Sequence, residues 1–102
     1  MPMFIYNVTV NIDAEVQEEW VKYMKEKHMP DVMKTGCFLD NQLLKVLYVE
    51  DQGHTYSAQY RFLEMSDIEK YQKEFASALQ VEHKQKFGEK YTAFRVLLEV
   101  ID

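Results

Sequence analysis

The chain has 102 residues, 47% of them apolar and 14% aromatic, with a formal net charge of −5. That length corresponds to one domain spanning residues 1–102, and the apolar content is enough for a packed core and too high for a disordered chain. The acidic balance argues against a nucleic-acid partner, whose phosphates want clustered Lys and Arg, and does not favour an anionic membrane surface.

Met3 to Ile12 alternates, with Phe4, Tyr6, Val8, Val10 and Ile12 on one face and Asn7, Thr9 and Asn11 on the other. This is the period of a half-buried strand. Asp13 is the expected N-cap of a helix over 14–28, whose apolar stripe is Val16, Trp20, Tyr23 and Met24. Lys27 also falls on that stripe by ideal arithmetic, so the helix is expected to end or bend there, and Pro30 gives the cause by pushing the preceding residue out of the helical region. A short second helical piece then runs from Pro30 to Lys34, and Gly36 caps it. Phe38 to Val49 reads as a strand, interrupted at Asp40-Asn41-Gln42 by a bulge or a turn. Glu50-Asp51-Gln52-Gly53 reads as a turn, with Gly53 free to take positive φ. Thr55 to Leu63 alternates again, which makes a hairpin. Ser66, with Glu69 at capping-box spacing, is the expected start of a long helix to Phe87. Ile68, Tyr71, Phe75, Leu79 and His83 share one side of it, and Gly88 caps it. Tyr91 to Ile101 is the last strand.

The order strand, helix, strand, strand, helix, strand is the split βαβ, ferredoxin-like pattern. The expected fold class is therefore α+β. It is a four-stranded antiparallel sheet with the first and third strands central and two helices on one face. The more apolar set of each strand is expected under the helices: Phe4, Tyr6, Val8 and Val10, then Tyr56, Tyr60 and Phe62, then Phe94, Val96 and Leu98. The opposite face is expected to carry Met3, Ile5, Asn7, Thr9, Leu43, Lys45, Leu47, Gln59, Arg61, Arg95, Leu97, Glu99 and Ile101. A half-apolar sheet face on a small domain calls for a partner, most simply a second copy of the chain.

The residues YNVTVNI, then Trp20 with HMPDVMKTGCF, then YQKEFASALQVEHKQKFGEKYTAFRVLLEV cover nearly the whole chain. They resemble a family of small bacterial proteins known only as a domain of unknown function. That family is similar in layout to the dimeric α+β barrel superfamily of cofactor-light monooxygenases, isomerases and ligand-sensing domains. The resemblance implies a dimer whose two sheets pack face to face. It implies no particular reaction, and no catalytic residue is carried over.

His28 has the ordinary pKa of a neutral-pH acid–base group, and Asp31 stands where it could orient the ring. The preferred reading is a cap at the helix end, where a donor meets free carbonyls. His83 either lines a cavity beside the sheet or is structural. Tyr56, Tyr60 and Tyr71, with Tyr6 and Trp20, form either a core cluster or the wall of a pocket for a small apolar or aromatic ligand. Arg61 and Arg95 are expected near Glu99, Gln59 and Asn7, as a carboxylate site or as interface salt bridges. No metal is expected, because the close Cys/His spacing of structural sites is missing. No cofactor is implied. Cys37, the single cysteine, reads as a small buried residue and fits a reducing compartment. With no membrane span and no visible signal peptide, a cytoplasmic protein is expected.

The leading functional reading is a small dimeric protein that binds a small molecule in a pocket between sheet and helices. One alternative is a cofactor-independent enzyme, monooxygenase- or isomerase-like, using His28 or His83 with a tyrosine. The other is a structural or interaction module using its sheet.

Overall fold

The computed structural model of the protein describes residues 2–47 and 54–102. Tyr48, Val49 and the expected turn Glu50-Asp51-Gln52-Gly53 lie outside the described residues. The strands are β1 (Met3–Ile12), β2 (Asp40–Lys45), β3 (His54–Phe62) and β4 (Tyr91–Val100). They form one antiparallel sheet in the order β2-β3-β1-β4, so β1 and β3 are central. The helices are α1 (Gln17–Tyr23), α2 (Met29–Met33), α3 (Met65–Glu74) and α4 (Ala76–Phe87). They build two helical arms on one face of the sheet, where Trp20 packs on Tyr56 and Tyr71 packs on Tyr6. The chain has the ferredoxin-like α+β fold.

The first arm does not stop at His28. A 3-10 turn (Ala14–Val16) leads into α1, and a π-helical turn (Met24–His28) joins α1 to α2. Within that turn the Met29 N–H donates to the Met24 carbonyl, five residues back. Proline has no N–H, and in a tight helix its ring clashes with the carbonyl four residues earlier. A widened turn just ahead of Pro30 makes room for it. The helix is continuous through Pro30, and His28 is not an end cap but an internal residue facing the sheet. Asp13 sits at the N-cap position, but its side chain makes no capping hydrogen bond. Only its carbonyl contributes, accepting from the Val16 N–H at 3.1 Å.

Gly36 follows α2 with φ +77°, the left-handed region. A Cβ placed there would meet nothing within 4 Å, so the cost of a side chain is conformational alone. Gly36→Ala is expected to lower the unfolding free energy by about 1–2 kcal/mol. The check is a lower urea midpoint with an unchanged slope.

The second arm starts earlier than expected. Glu64 and Asp67 form the capping box, with the Glu64 N–H donating to Asp67 Oδ2 at 3.1 Å, in place of Ser66 and Glu69. The arm also breaks in the middle, where Phe75 leaves the helical region at φ −126°. The break lets Ile68 and Tyr71 of α3 and Ala76, His83 and Phe87 of α4 all bury against the same sheet. No proline or glycine announces it. Asp40-Asn41-Gln42 is neither bulge nor turn: these residues pair in regular register with Arg61, Tyr60 and Gln59. Phe38 precedes β2 and is buried among Tyr6, Tyr60 and Tyr71.

The register corrects the assignment of faces. Tyr6 lies opposite Leu97, Val8 opposite Arg95 and Val10 opposite Ala93. Directly opposed residues share a face, so Arg95 and Leu97 are on the helix side. Phe94, Val96, Leu98 and Val100 are on the open side with Ile5, Asn7 and Thr9. The same logic moves Leu43 and Lys45, opposite Ala58 and Tyr56, to the helix side. Leu47 lies beyond the end of β2. The open face therefore carries an apolar stripe along β4, with Phe94 60% and Val96 40% exposed. Beside it, the central strands carry a polar ladder. Ser57 Oγ donates to Asn7 Oδ1 at 2.5 Å, and Gln59 Nε2 donates to both at 3.3 Å.

Candidate functional site

Two aromatic clusters stand on the helix side of the sheet. In one, Tyr6 stacks near Tyr71 at 5.6 Å and near Tyr60 at 6.0 Å between ring centroids. In the other, Tyr23, His28, Phe87 and Tyr91 surround His83, with Tyr91 edge-on to the imidazole at 4.3 Å. Between the clusters lies a cavity of about 40 Å³ lined by His28, His83, Tyr6, Tyr60, Tyr71 and Arg95, among others. It has room for a few water-sized groups.

The two histidines do different things. His83 Nε2 accepts a hydrogen bond from Trp20 Nε1 at 2.9 Å. That bond requires an unprotonated Nε2, so the ring is neutral with its proton on Nδ1. Burial, helped by His28 and by the Arg95 charge, pushes the His83 pKa down to about 4. His28 lies 5.7 Å from His83 between ring centroids. Its Nδ1 is buried without a hydrogen-bond partner. Burial also lowers the His28 pKa, against the opposing charges of Glu82 and Asp31. A buried, unpaired ring nitrogen costs about 1–3 kcal/mol and marks a position where a bound polar group would be stabilised.

The neutral His83 makes stability pH-dependent. The unfolded chain takes up the histidine proton near pH 6.5, and the folded chain only near pH 4. Between those values the unfolded state binds more protons, so this contribution is complete above pH 6.5 and is lost as pH falls toward 4. The loss is roughly 3 kcal/mol at about 1.4 kcal/mol per pH unit. His83→Gln keeps an acceptor for Trp20 without titrating. Its urea midpoint is expected to fall distinctly less than that of the wild type between pH 7 and pH 4.5.

Arg95 reaches the cavity lining from β4, and its charge acts on the Tyr6 hydroxyl. Among the described residues it has no carboxylate at ion-pair distance. Its charge acts to lower the pKa of Tyr6, His28, Tyr71 and His83 alike. Burial outweighs it at the tyrosines, and Tyr6, Tyr60 and Tyr71 all stay protonated with raised pKa values. Gln80, Tyr91, Ala93 and Arg95 also line an open groove between α4 and β4, so the groove adjoins the cavity.

Of the residues singled out from the sequence, His28, His83, Tyr60 and Tyr71 line the cavity. Trp20 and Tyr56 do not. Trp20 is fully buried behind His83, and the Tyr56 hydroxyl accepts from Gln17 Nε2. Asp31 pairs with Lys27 at 2.5 Å on the exposed side of the helix and acts on His28 only through its charge. Arg61 forms a two-pronged pair with Asp40 on the open face, so the two arginines are on opposite sides of the sheet. Among the described residues no three of His, Cys, Asp and Glu are placed to hold a metal ion together. Sequence reasoning missed Arg95, Gln80 and Tyr91 as cavity residues. Arg95 is placed there by the β1–β4 register, which no local sequence pattern signals.

Residues 3–101 match the family model described as Domain of unknown function (DUF4286). The chain belongs to that family. A comparison with the curated proteins finds no match. Among solved structures, the chain is similar to a dimeric ferredoxin-like protein from an uncultured marine organism. The TM-score is 0.71 at 14% identity, covering 98% of this chain and 95% of that one. It is similar to SnoaB, a cofactor-independent oxygenase from Streptomyces nogalater, with TM-score 0.67 at 10% identity and coverage of 98% and 94%. It is also similar to a monooxygenase of Streptomyces coelicolor in complex with nanaomycin D, with TM-score 0.64 at 13% identity and coverage of 97% and 88%. At these identities the likeness establishes the fold. Among the described residues, no helix of the DUF4286 chain is long and apolar enough to cross a membrane.

Proposed function

We propose that the chain, with residues 1–102 acting as one domain, is a cytoplasmic homodimer that binds a small molecule in the cavity between sheet and helices. The observation that carries the reading is the convergence of His28, His83, Tyr6, Tyr60, Tyr71 and Arg95 on one cavity, with His28 Nδ1 unpartnered inside it. Pockets of this make-up, apolar walls with a few convergent polar groups, are the usual form of a ligand site. The dimer is supported by the exposed β4 stripe and by similar structures described as dimeric. The single buried thiol of Cys37 supports a reducing compartment.

Native mass spectrometry on protein purified gently from its own cells tests both parts. A dimer of about twice 12.2 kDa carrying extra mass is expected. A monomer contradicts the dimer, and an empty dimer counts against a tightly held ligand.

The unpartnered His28 nitrogen favours a second reading, a cofactor-independent enzyme in which neutral His28 accepts a proton from the ligand. SnoaB is described as such an oxygenase. The discriminating experiment is turnover of the recovered ligand by wild type and by His28→Gln. If the two convert it equally, the base role is wrong.

A further inference from the structure

We propose that the ligand is a small organic acid bound as its anion. A carboxylate or enolate head sits against Arg95 and Tyr6, a further oxygen reaches His28 Nδ1, and the body lies in the groove between α4 and β4. The proposal rests on the pocket reading above and names the chemical class that the pocket selects.

Charge is the first reason. Among the described residues that line the cavity there is no Asp or Glu, and the one permanently charged group is Arg95. It is left without an ion pair there, while Arg61 on the other face has Asp40. A guanidinium offers a planar fork of donors that matches a carboxylate, and its hydrogen bonds to an anion are about twice as strong as neutral ones. Tyr6 lines the same cavity, and its hydroxyl, kept protonated by burial, has a proton to donate to the same anion.

Size is the second reason. An enclosed volume of about 40 Å³ is well below the ~150 Å³ of a cavity that holds benzene. A head of a few atoms therefore enters, and the bulk stays outside. The adjoining groove, about 660 Å³ and sharing Gln80, Tyr91, Ala93 and Arg95 with the cavity, is the neighbouring space available to it. Arg95 stands at that junction, where the charged head of such a ligand would be. Lys84 also lines the groove, but Glu89 engages it at 3.1 Å, which leaves Arg95 as the recognition group.

Hydrogen-bond capacity is the third reason. The acceptor nitrogen of His83 is committed to Trp20, whereas His28 Nδ1 is without a partner. One cation, one phenolic donor and one free imidazole nitrogen around a small head are what an oxo acid or a hydroxy acid would satisfy.

The test is titration calorimetry with benzoate, 4-hydroxybenzoate and pyruvate, each beside its neutral amide. Trp20 fluorescence is followed in parallel, because its N–H bond to His83 couples it to the cavity. At least one acid is expected to bind about tenfold or more tightly than its amide. Arg95→Gln is expected to abolish that preference by weakening acid binding to the level of the amide, and Arg95→Lys to retain part of it. Arg95 is exposed, so both variants are expected to melt close to the wild type. Amides that bind as tightly as the acids overturn the anion proposal and leave the pocket reading standing. Binding of none of the six probes also overturns it, and native mass spectrometry then decides the pocket reading separately. A preference for acids that survives in Arg95→Gln assigns the recognition elsewhere and overturns the role of Arg95.

Discussion

Trp20→Ala is expected to remove a large part of the stability of the fold. Trp20 is 0% exposed, packs on Tyr56 at 5.1 Å between ring centroids, and donates to His83. Truncating a buried Trp to Ala costs about 3–5 kcal/mol for lost transfer and cavity formation. The variant also leaves His83 Nε2 without its donor, which costs about 1–3 kcal/mol more where the site stays dry. Total stability in a domain of this kind is about 5–15 kcal/mol. Each kcal/mol is worth roughly 4–8 °C in Tm at this chain length, so a fall of at least about 15 °C is expected, read by circular dichroism. Trp20→Phe keeps most of the ring volume and loses the N–H. Its smaller loss, about 2 kcal/mol, separates the hydrogen bond from the packing. A Trp20→Ala variant that melts within a few degrees of the wild type would contradict the packing described here.

Val96→Glu is expected to convert the proposed homodimer to monomer. Val96 lies opposite Asn7 in the middle of the β1–β4 register, on the open face. Two sheets packed about a two-fold axis would bury two introduced carboxylates, one from each protomer, without partners. An unpaired buried charge at an interface costs about 2–5 kcal/mol, which weakens the dimer at least about a hundredfold once both copies are counted. Sedimentation velocity reads the change in mass directly. The neighbouring Leu97→Glu is the control, because Leu97 points to the opposite side of the sheet. It is expected to leave the dimer intact. The reverse pattern would show that the faces of β4 are exchanged. The polar ladder does not oppose burial of this face, since Asn7, Ser57 and Gln59 satisfy one another within the chain.

Much of the architecture was legible in local pattern. The alternation of Met3–Ile12 matches β1 from end to end, and Gly36 and Gly88 fall where the helices stop with positive φ. The order of elements was enough for the ferredoxin-like sheet with β1 and β3 central. These features rest on interactions between residues close in sequence, or on connection rules that depend only on element order. The π turn at Met24–His28 and the break at Phe75 were not legible. Both are compromises between a helix's own hydrogen bonds and the demand that distant side chains reach one sheet, and only the packed core sets that balance.

The faces of β4 show the same limit most clearly. A period of two says that Phe94, Val96 and Leu98 share one side and Arg95 and Leu97 the other, but it is unchanged when the two sides are exchanged. Assigning the more apolar set to the helices assumes that the helices supply the only apolar cover. The open face also carries an apolar stripe, so for β4 that assumption fails. Tertiary register alone brings Arg95 to the cavity with His28, His83 and three tyrosines, residues from five different elements. Elements and their order are thus local properties of this chain. Its candidate site exists only through the pairing of β1 with β4 and the packing of both helical arms above it.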